Sequence, residues 1–174
     1  MKKLIVGGLV LALATPAVAD NDWTGFYGGA QLGYGDVTTD GAADLDGDGI
    51  IGGFHLGYDF DFGQYVLGGG LDYDFANIEL DNDAETIEGV LRLRARGGIE
   101  LGQGLLYATG GWAQASADNL DNDDGYFIGA GYEQIIGSNL SVGGEVLYHE
   151  FDDFDDSDID IEATTLQARV SYRF

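Results

Sequence analysis

The chain has 174 residues, no cysteine, one proline and a formal net charge of −24. Without cysteine there is neither a disulfide framework nor a lipid-anchored thiol, and the acidity repels phosphate backbones, so nucleic-acid binding is excluded as a function class. After the first residues, no segment has the roughly 20 consecutive apolar residues of a membrane-spanning helix.

Taken in chain order, Met1-Lys2-Lys3 is a short basic start, Leu4 to Leu13 an apolar run, and Ala17-Val18-Ala19 a small-residue close. This reads as a secretory signal peptide over 1–19, cleaved after Ala19. Residues 20–174 then form one domain. That domain would hold five basic residues, all arginine, against 31 acidic ones, a formal charge of −26.

The rest alternates between Gly/aromatic segments and acidic ones. Gly28-Gly29-Ala30-Gln31-Leu32-Gly33-Tyr34 is echoed by Gly52-Gly53-Phe54-His55-Leu56-Gly57-Tyr58, and more weakly around Gly69 and Gly143. Repetition at hairpin scale points to one strand type used many times. Eight strands are predicted, at about residues 23–35, 50–61, 65–77, 87–101, 105–117, 125–134, 140–150 and 163–174.

Period-two alternation separates two faces. Phe54, Leu56, Tyr58 and Phe60 oppose His55, Gly57 and Asp59. Leu67, Leu71, Tyr73 and Phe75 oppose Gly68, Gly70, Asp72 and Asp74. Leu91, Leu93, Ala95 and Ile99 oppose Arg92, Arg94, Arg96 and Glu100, while Leu166, Ala168, Val170, Tyr172 and Phe174 oppose Gln167, Arg169, Ser171 and Arg173. In the fifth strand Leu106, Ala108, Gly110 and Trp112 are read as outward, with the opposite register, Tyr107 outward, nearly as good. Connections at 62–64, 102–104 and 135–139 are short. Those at 36–49, 78–86, 118–124 and 151–162 are longer, acidic and free of positive residues.

Short turns at one end and longer loops at the other are the habit of a transmembrane barrel. The fold class expected is all-β, a transmembrane antiparallel up-and-down barrel of eight strands. A soluble barrel would reverse the faces. Against that stand the export signal, aromatic residues gathered toward strand ends, and an outward-facing Phe174 at the end of the last strand. On the membrane reading the five arginines (Arg92, Arg94, Arg96, Arg169, Arg173) all fall on polar faces. An arginine on the lipid side costs about 2–4 kcal/mol at mid-bilayer. Inside, the arginines are expected to meet Asp59, Asp72, Asp74, Glu88, Glu100, Glu133 and Glu145.

Trp23-Thr24-Gly25-Phe26-Tyr27-Gly28-Gly29, the Leu-Gly-Tyr repeats and the closing Arg169-Val170-Ser171-Tyr172-Arg173-Phe174 resemble the small outer-membrane β-barrel family, the OmpA-like and opacity-protein-like surface proteins. The resemblance covers residues 20–174. It implies the Gram-negative outer membrane, contact with its lipid and lipopolysaccharide, and recognition of Phe174 by the barrel-assembly machinery. It brings no shared catalytic residues, and a monomer is expected.

Chemistry-bearing candidates are few. Asp44-Leu45-Asp46-Gly47-Asp48-Gly49 matches the first half of a calcium loop, with oxygen ligands at Asp44, Asp46 and Asp48 followed by a glycine. Position twelve would be His55 instead of a bidentate Glu, and no helices flank it. No other cofactor is expected. His55 and His149 are the only imidazoles; a Ser/His/acid set acting on lipid A would need a hydroxyl beside one of them, and a structural histidine bonded to a lumen carboxylate is the stronger expectation. The arginine ladder reads as a lumen ion-pair network, since eight strands leave an interior just wide enough for side chains. The expected function is a non-enzymatic surface barrel contributing to envelope structure or surface contacts through acidic outer loops. A narrow porin-like channel and a lipid A-modifying enzyme are the alternatives.

Overall fold

The computed structural model describes residues 22–40, 46–80, 86–117, 123–151 and 160–174. They form eight strands: β1 Gly25–Asp40, β2 Asp46–Asp61, β3 Tyr65–Leu80, β4 Thr86–Leu101, β5 Gly104–Ala117, β6 Asp123–Ile136, β7 Leu140–Phe151 and β8 Asp160–Arg173. Each pairs antiparallel with its sequence neighbour, and β8 returns to β1, closing the barrel. Closure gives every backbone donor and acceptor along the wall a partner, which is what allows a sheet to cross a membrane. Phe174 N–H completes the seam by donating to the Phe26 carbonyl at 2.9 Å.

The alternation read in the sequence sorts the side chains. On β2, Phe54 is 64% exposed while His55 beside it is 4% exposed. The same contrast along the strands puts most leucine and aromatic side chains outward and the arginines and their carboxylates inward, the inverse of a soluble barrel. The fifth strand takes the favoured register: Leu106 and Trp112 face out, and Tyr107 is buried.

At one end, which we call the turn end, the strands are joined by Phe62–Gln64, Gly102–Gln103 and Gly137–Asn139. Each turn places a glycine at positive φ: Gly63 at 92°, Gly102 at 68° and Gly137 at 77°. L side chains resist that conformation, so the glycines fix where the chain reverses. At the opposite, loop end the ladders run further than expected. β1 and β8 stay paired to Asp40 and Asp160, and β1 and β2 to Thr38 and Asp46. The predicted connections at 36–49, 78–86 and 151–162 are thus shortened by strand at both sides, and that at 118–124 by β6 alone. Acidic side chains argued for loops, but cross-strand hydrogen bonding needs only backbone, and these residues lie beyond the 9–11 that span a bilayer.

Inside, glycines make room for large neighbours. An added Cβ at Gly131 would lie 2.5 Å from the Tyr107 hydroxyl, and one at Gly29 would lie 2.8 Å from His55 Nε2. The rings rest in these gaps, so the lumen fills to a density that its narrow bore would otherwise forbid.

Candidate functional site

The lumen is where the chain concentrates its unusual chemistry. All five arginines of 20–174 point into it, and each is at most 7% exposed. Facing them are five buried carboxylates: Asp59, Asp72, Asp74, Glu133 and Glu145. Alternation along β4 sets the arginines at successive levels, and the carboxylates join them in three tiers.

Nearest the turn end, Arg96 donates to Asp59 at 2.9 and 2.5 Å and to Glu133 at 2.8 Å. Arg173 donates to Asp59 at 2.6 Å and lies 3.5 Å from Glu133. In the middle, Arg94 stands 3.3 Å from Asp72 and 3.1 Å from Glu145. Arg169 stands 3.4 Å from Asp72 and 2.6 Å from Glu145, which also accepts from the Tyr107 hydroxyl at 2.9 Å. In the third tier Arg92 pairs with Asp74, whose carboxylate also accepts from the amides of Gln31 and Gln167, at 2.5 and 2.9 Å.

Two arginines meet two carboxylates, then two meet two, then one meets one. Each tier is neutral. An ion moved from water into a protein interior loses several kcal/mol of hydration even after relaxation, so only matched pairs with satisfied donors survive there. Aromatic rings supply further contacts: the Arg96 guanidinium lies 4.5 Å from the Tyr27 ring and 5.2 Å from that of Tyr107.

The two histidines differ. His55 Nε2 is 2.8 Å from Ser171 Oγ, and its Nδ1 is 3.1 Å from Gln31 Oε1. Gln31 gives its amide N–H to Asp74, so its oxygen faces His55. That makes Nδ1 the protonated nitrogen and leaves Nε2 to accept the serine proton. The expected carboxylate partner for His55 is replaced by an amide and a hydroxyl, because arginines already hold the neighbouring carboxylates. His149 lies 3.2 Å from Arg92 Nη1 and stacks on Phe127, with ring centroids 5.6 Å apart.

The Ser171–His55 contact joins residues 116 apart in sequence. Gly29 explains it. Gly29 is registered opposite His55 on one side and Ser171 on the other, so two side chains meet over a position that has none. Alternation had already put both residues inside; the seam register between β1 and β8 is what brings them together. Hydroxyl, imidazole and amide are aligned as a nucleophile, base and orienting group would be. All three are nevertheless enclosed: Ser171 is 2% exposed, His55 4% and Gln31 5%.

Of the other expected lumen acids, Glu100 departs from expectation. It lies two inward positions beyond Arg96, past the last arginine on β4, and hydrogen-bonds with Asp61 at the turn end. The side chain of Glu88 lies outside the described residues. Of the calcium candidates, Asp44 lies outside them as well. Asp46 and Asp48 stand within β2, and Gly47 between them is registered with Val37 and Leu80. That stretch is extended strand, where a calcium loop would turn at the glycine. Asp48 is exposed and accepts from the Tyr34 hydroxyl. No group of three or more metal-ligating side chains occurs among the described residues.

The lumen also holds apolar side chains that the strand-face reading did not assign. Trp23, Val66, Leu105, Tyr107 and Ile135 cluster beneath the first tier, at the turn end. Ala113, Phe127 and Leu147 form a second cluster, with Val90 packed against it. A signal was present: Val66 continues the inward series of Gly68, Gly70, Asp72 and Asp74.

The comparisons agree with this geometry. Residues 7–174 match the outer membrane protein beta-barrel domain. No curated protein sequence matches the chain. Among solved structures, Neisserial surface protein A aligns with a TM-score of 0.59 at 13% identity, covering 87% of this chain and 98% of that one. Ail, the attachment invasion locus protein of Yersinia pestis, aligns at 0.45 and 17% identity, covering 86% and 99%. The outer membrane protein AlkL aligns at 0.49 and 11%, covering 94% and 97%. At 13% identity the likeness to the Neisserial protein is one of fold. With a family match over residues 7–174 and a closed barrel of eight antiparallel strands, the chain belongs to the outer membrane protein beta-barrel family.

Proposed function

We propose that the protein is a closed, non-enzymatic surface barrel of the Gram-negative outer membrane, contributing to envelope structure or surface contacts through its acidic outer loops. One observation carries this reading: the interior is occupied by three neutral ion-pair tiers with an apolar cluster below them. A channel needs a continuous water path, and a hydrolase needs a substrate route to its nucleophile. The tiers across the lumen support a closed barrel over the first, and the burial of Ser171 and His55 supports a structural pair over the second.

Short turns face the periplasm in such barrels, so the loop end faces outward. With every positive charge of 20–174 held in the lumen, the outer surface has no cation of its own to meet anionic lipopolysaccharide. Divalent cations, calcium among them, would bridge the two, with Asp44, Asp46 and Asp48 part of that acidic crown. Phe174, 80% exposed beside the turn end, fits an assembly signal read on a monomeric barrel.

Planar-bilayer recording of the refolded protein tests the closed lumen. Silent membranes are expected, and discrete conductance steps would replace this reading with that of a channel.

A further inference from the structure

The Trp23-Thr24 pair ahead of β1 has no part in the strand ladder. Trp23 precedes β1, outside the ladder, yet it is fully buried. It belongs to one buried cluster with Val66 at the start of β3, Leu105 and Tyr107 on β5 and Ile135 near the end of β6. The cluster draws on β3 and on the β5–β6 pair, with the indole entering it from outside the ladder at the turn-end mouth.

The segment is tied in by polar contacts. Trp23 N–H donates to Asp61 at 3.0 Å, and Arg173 donates to the Trp23 carbonyl at 2.6 Å. The Arg173 guanidinium also lies 4.7 Å from the indole ring. Asp61 N–H donates to the Thr24 hydroxyl at 3.1 Å. Gly25 follows with φ of 143°, a conformation L side chains rarely adopt. It turns the chain out of β1 and down across the mouth.

We propose that Trp23 is a stopper for the periplasmic mouth of the lumen, hinged at Gly25 and held by Asp61, Thr24 and Arg173. A wall residue is fixed by ladder bonds on both sides. Trp23 is fixed by side-chain contacts alone, so the segment can swing out without breaking the barrel. When it does, water reaches the first tier at Arg96, Arg173, Asp59 and Glu133. The stopper builds on the closed-barrel reading and adds which element shuts the periplasmic side.

The absence of cysteine makes the test direct. The full barrel carrying Val66→Cys is placed in lipid nanodiscs, where both mouths meet water, and treated with a small membrane-impermeant maleimide. With Trp23 present the thiol should be protected. Adding Trp23→Ala should raise the labelling rate by about tenfold or more, as loss of a local closing contact does. Trp23→Phe keeps an aromatic ring and should give an intermediate rate, and it serves if the alanine variant does not fold. Rapid labelling with Trp23 in place, or equal protection in a folded variant without it, overturns the stopper. A silent parent whose thiol labels rapidly would overturn the stopper alone and leave the closed-lumen reading standing, whereas a conducting parent would overturn both.

Discussion

The lumen and the loop-end rim use the same side chains to opposite ends. Inside, Asp59, Asp72, Asp74, Glu133 and Glu145 each touch at least one guanidinium. At the rim Asp48 meets a tyrosine hydroxyl and Asp124 the Gln114 amide. No arginine lies between residues 97 and 168 or before 92, so the described rim has no arginine to draw on. A carboxylate in water keeps its hydration and needs no partner; one in the lumen has lost it and is stable only where an arginine replaces it. A chain with a net charge of −24 can therefore fold around neutral ion-pair tiers.

This contrast is broken most severely by Arg96→Met. The variant leaves Asp59 and Glu133 with Arg173 as their one guanidinium, an uncompensated buried charge, and unfolding in urea in detergent micelles should show a loss of about 3–5 kcal/mol. A variant as stable as the parent would mean that the tiers do not hold the barrel. Next comes Leu93→Arg, which moves a charge from the neutral interior to the lipid face on the same strand. Refolding titrations in vesicles should register about 2–4 kcal/mol, and tolerance at this site would argue that Leu93 does not meet hydrocarbon. Ser171→Ala leaves the His55 ring nitrogen without its donor and should cost about 1–3 kcal/mol. A changed lipid A mass on overexpression of the parent, abolished by this variant, would instead make the Ser171–His55 pair catalytic. The smallest effect is expected at the rim. Asp48→Asn should leave the melting temperature unchanged in EDTA, while calcium and magnesium raise that of the parent equally by screening the acidic crown. A calcium-specific rise lost in Asp46→Ala would point to a defined ion, since a ligand held only by the folded state stabilises it.

Much of this was legible in the residue order. The eight strands, their faces, the three glycine turns and the five inward arginines followed from alternation, because a pleated strand sends successive side chains to opposite sides. Chain membership of the lumen carboxylates was legible for the same reason. Part of their pairing was legible too: β3 and β4 form one hairpin, so Asp72 and Asp74 lie beside Arg92 and Arg94. The reach of Arg96 to Asp59 and Glu133, on strands it does not adjoin, was not, and Glu100 is on the right face but past the last arginine.

What the sequence by itself determined is which side chains face inward, since that needs only a period of two and a membrane-compatible outer face. Tertiary structure decided which inward residues touch. Barrel closure sets β8 against β1, placing Ser171 beside His55 over Gly29 and Arg173 against the Trp23 carbonyl. It also decided that the ladders continue through acidic residues and that Trp23 folds into the mouth. These contacts join residues more than a hundred positions apart, and they depend on how the two ends of the sheet register, a geometry to which no local pattern in the chain refers.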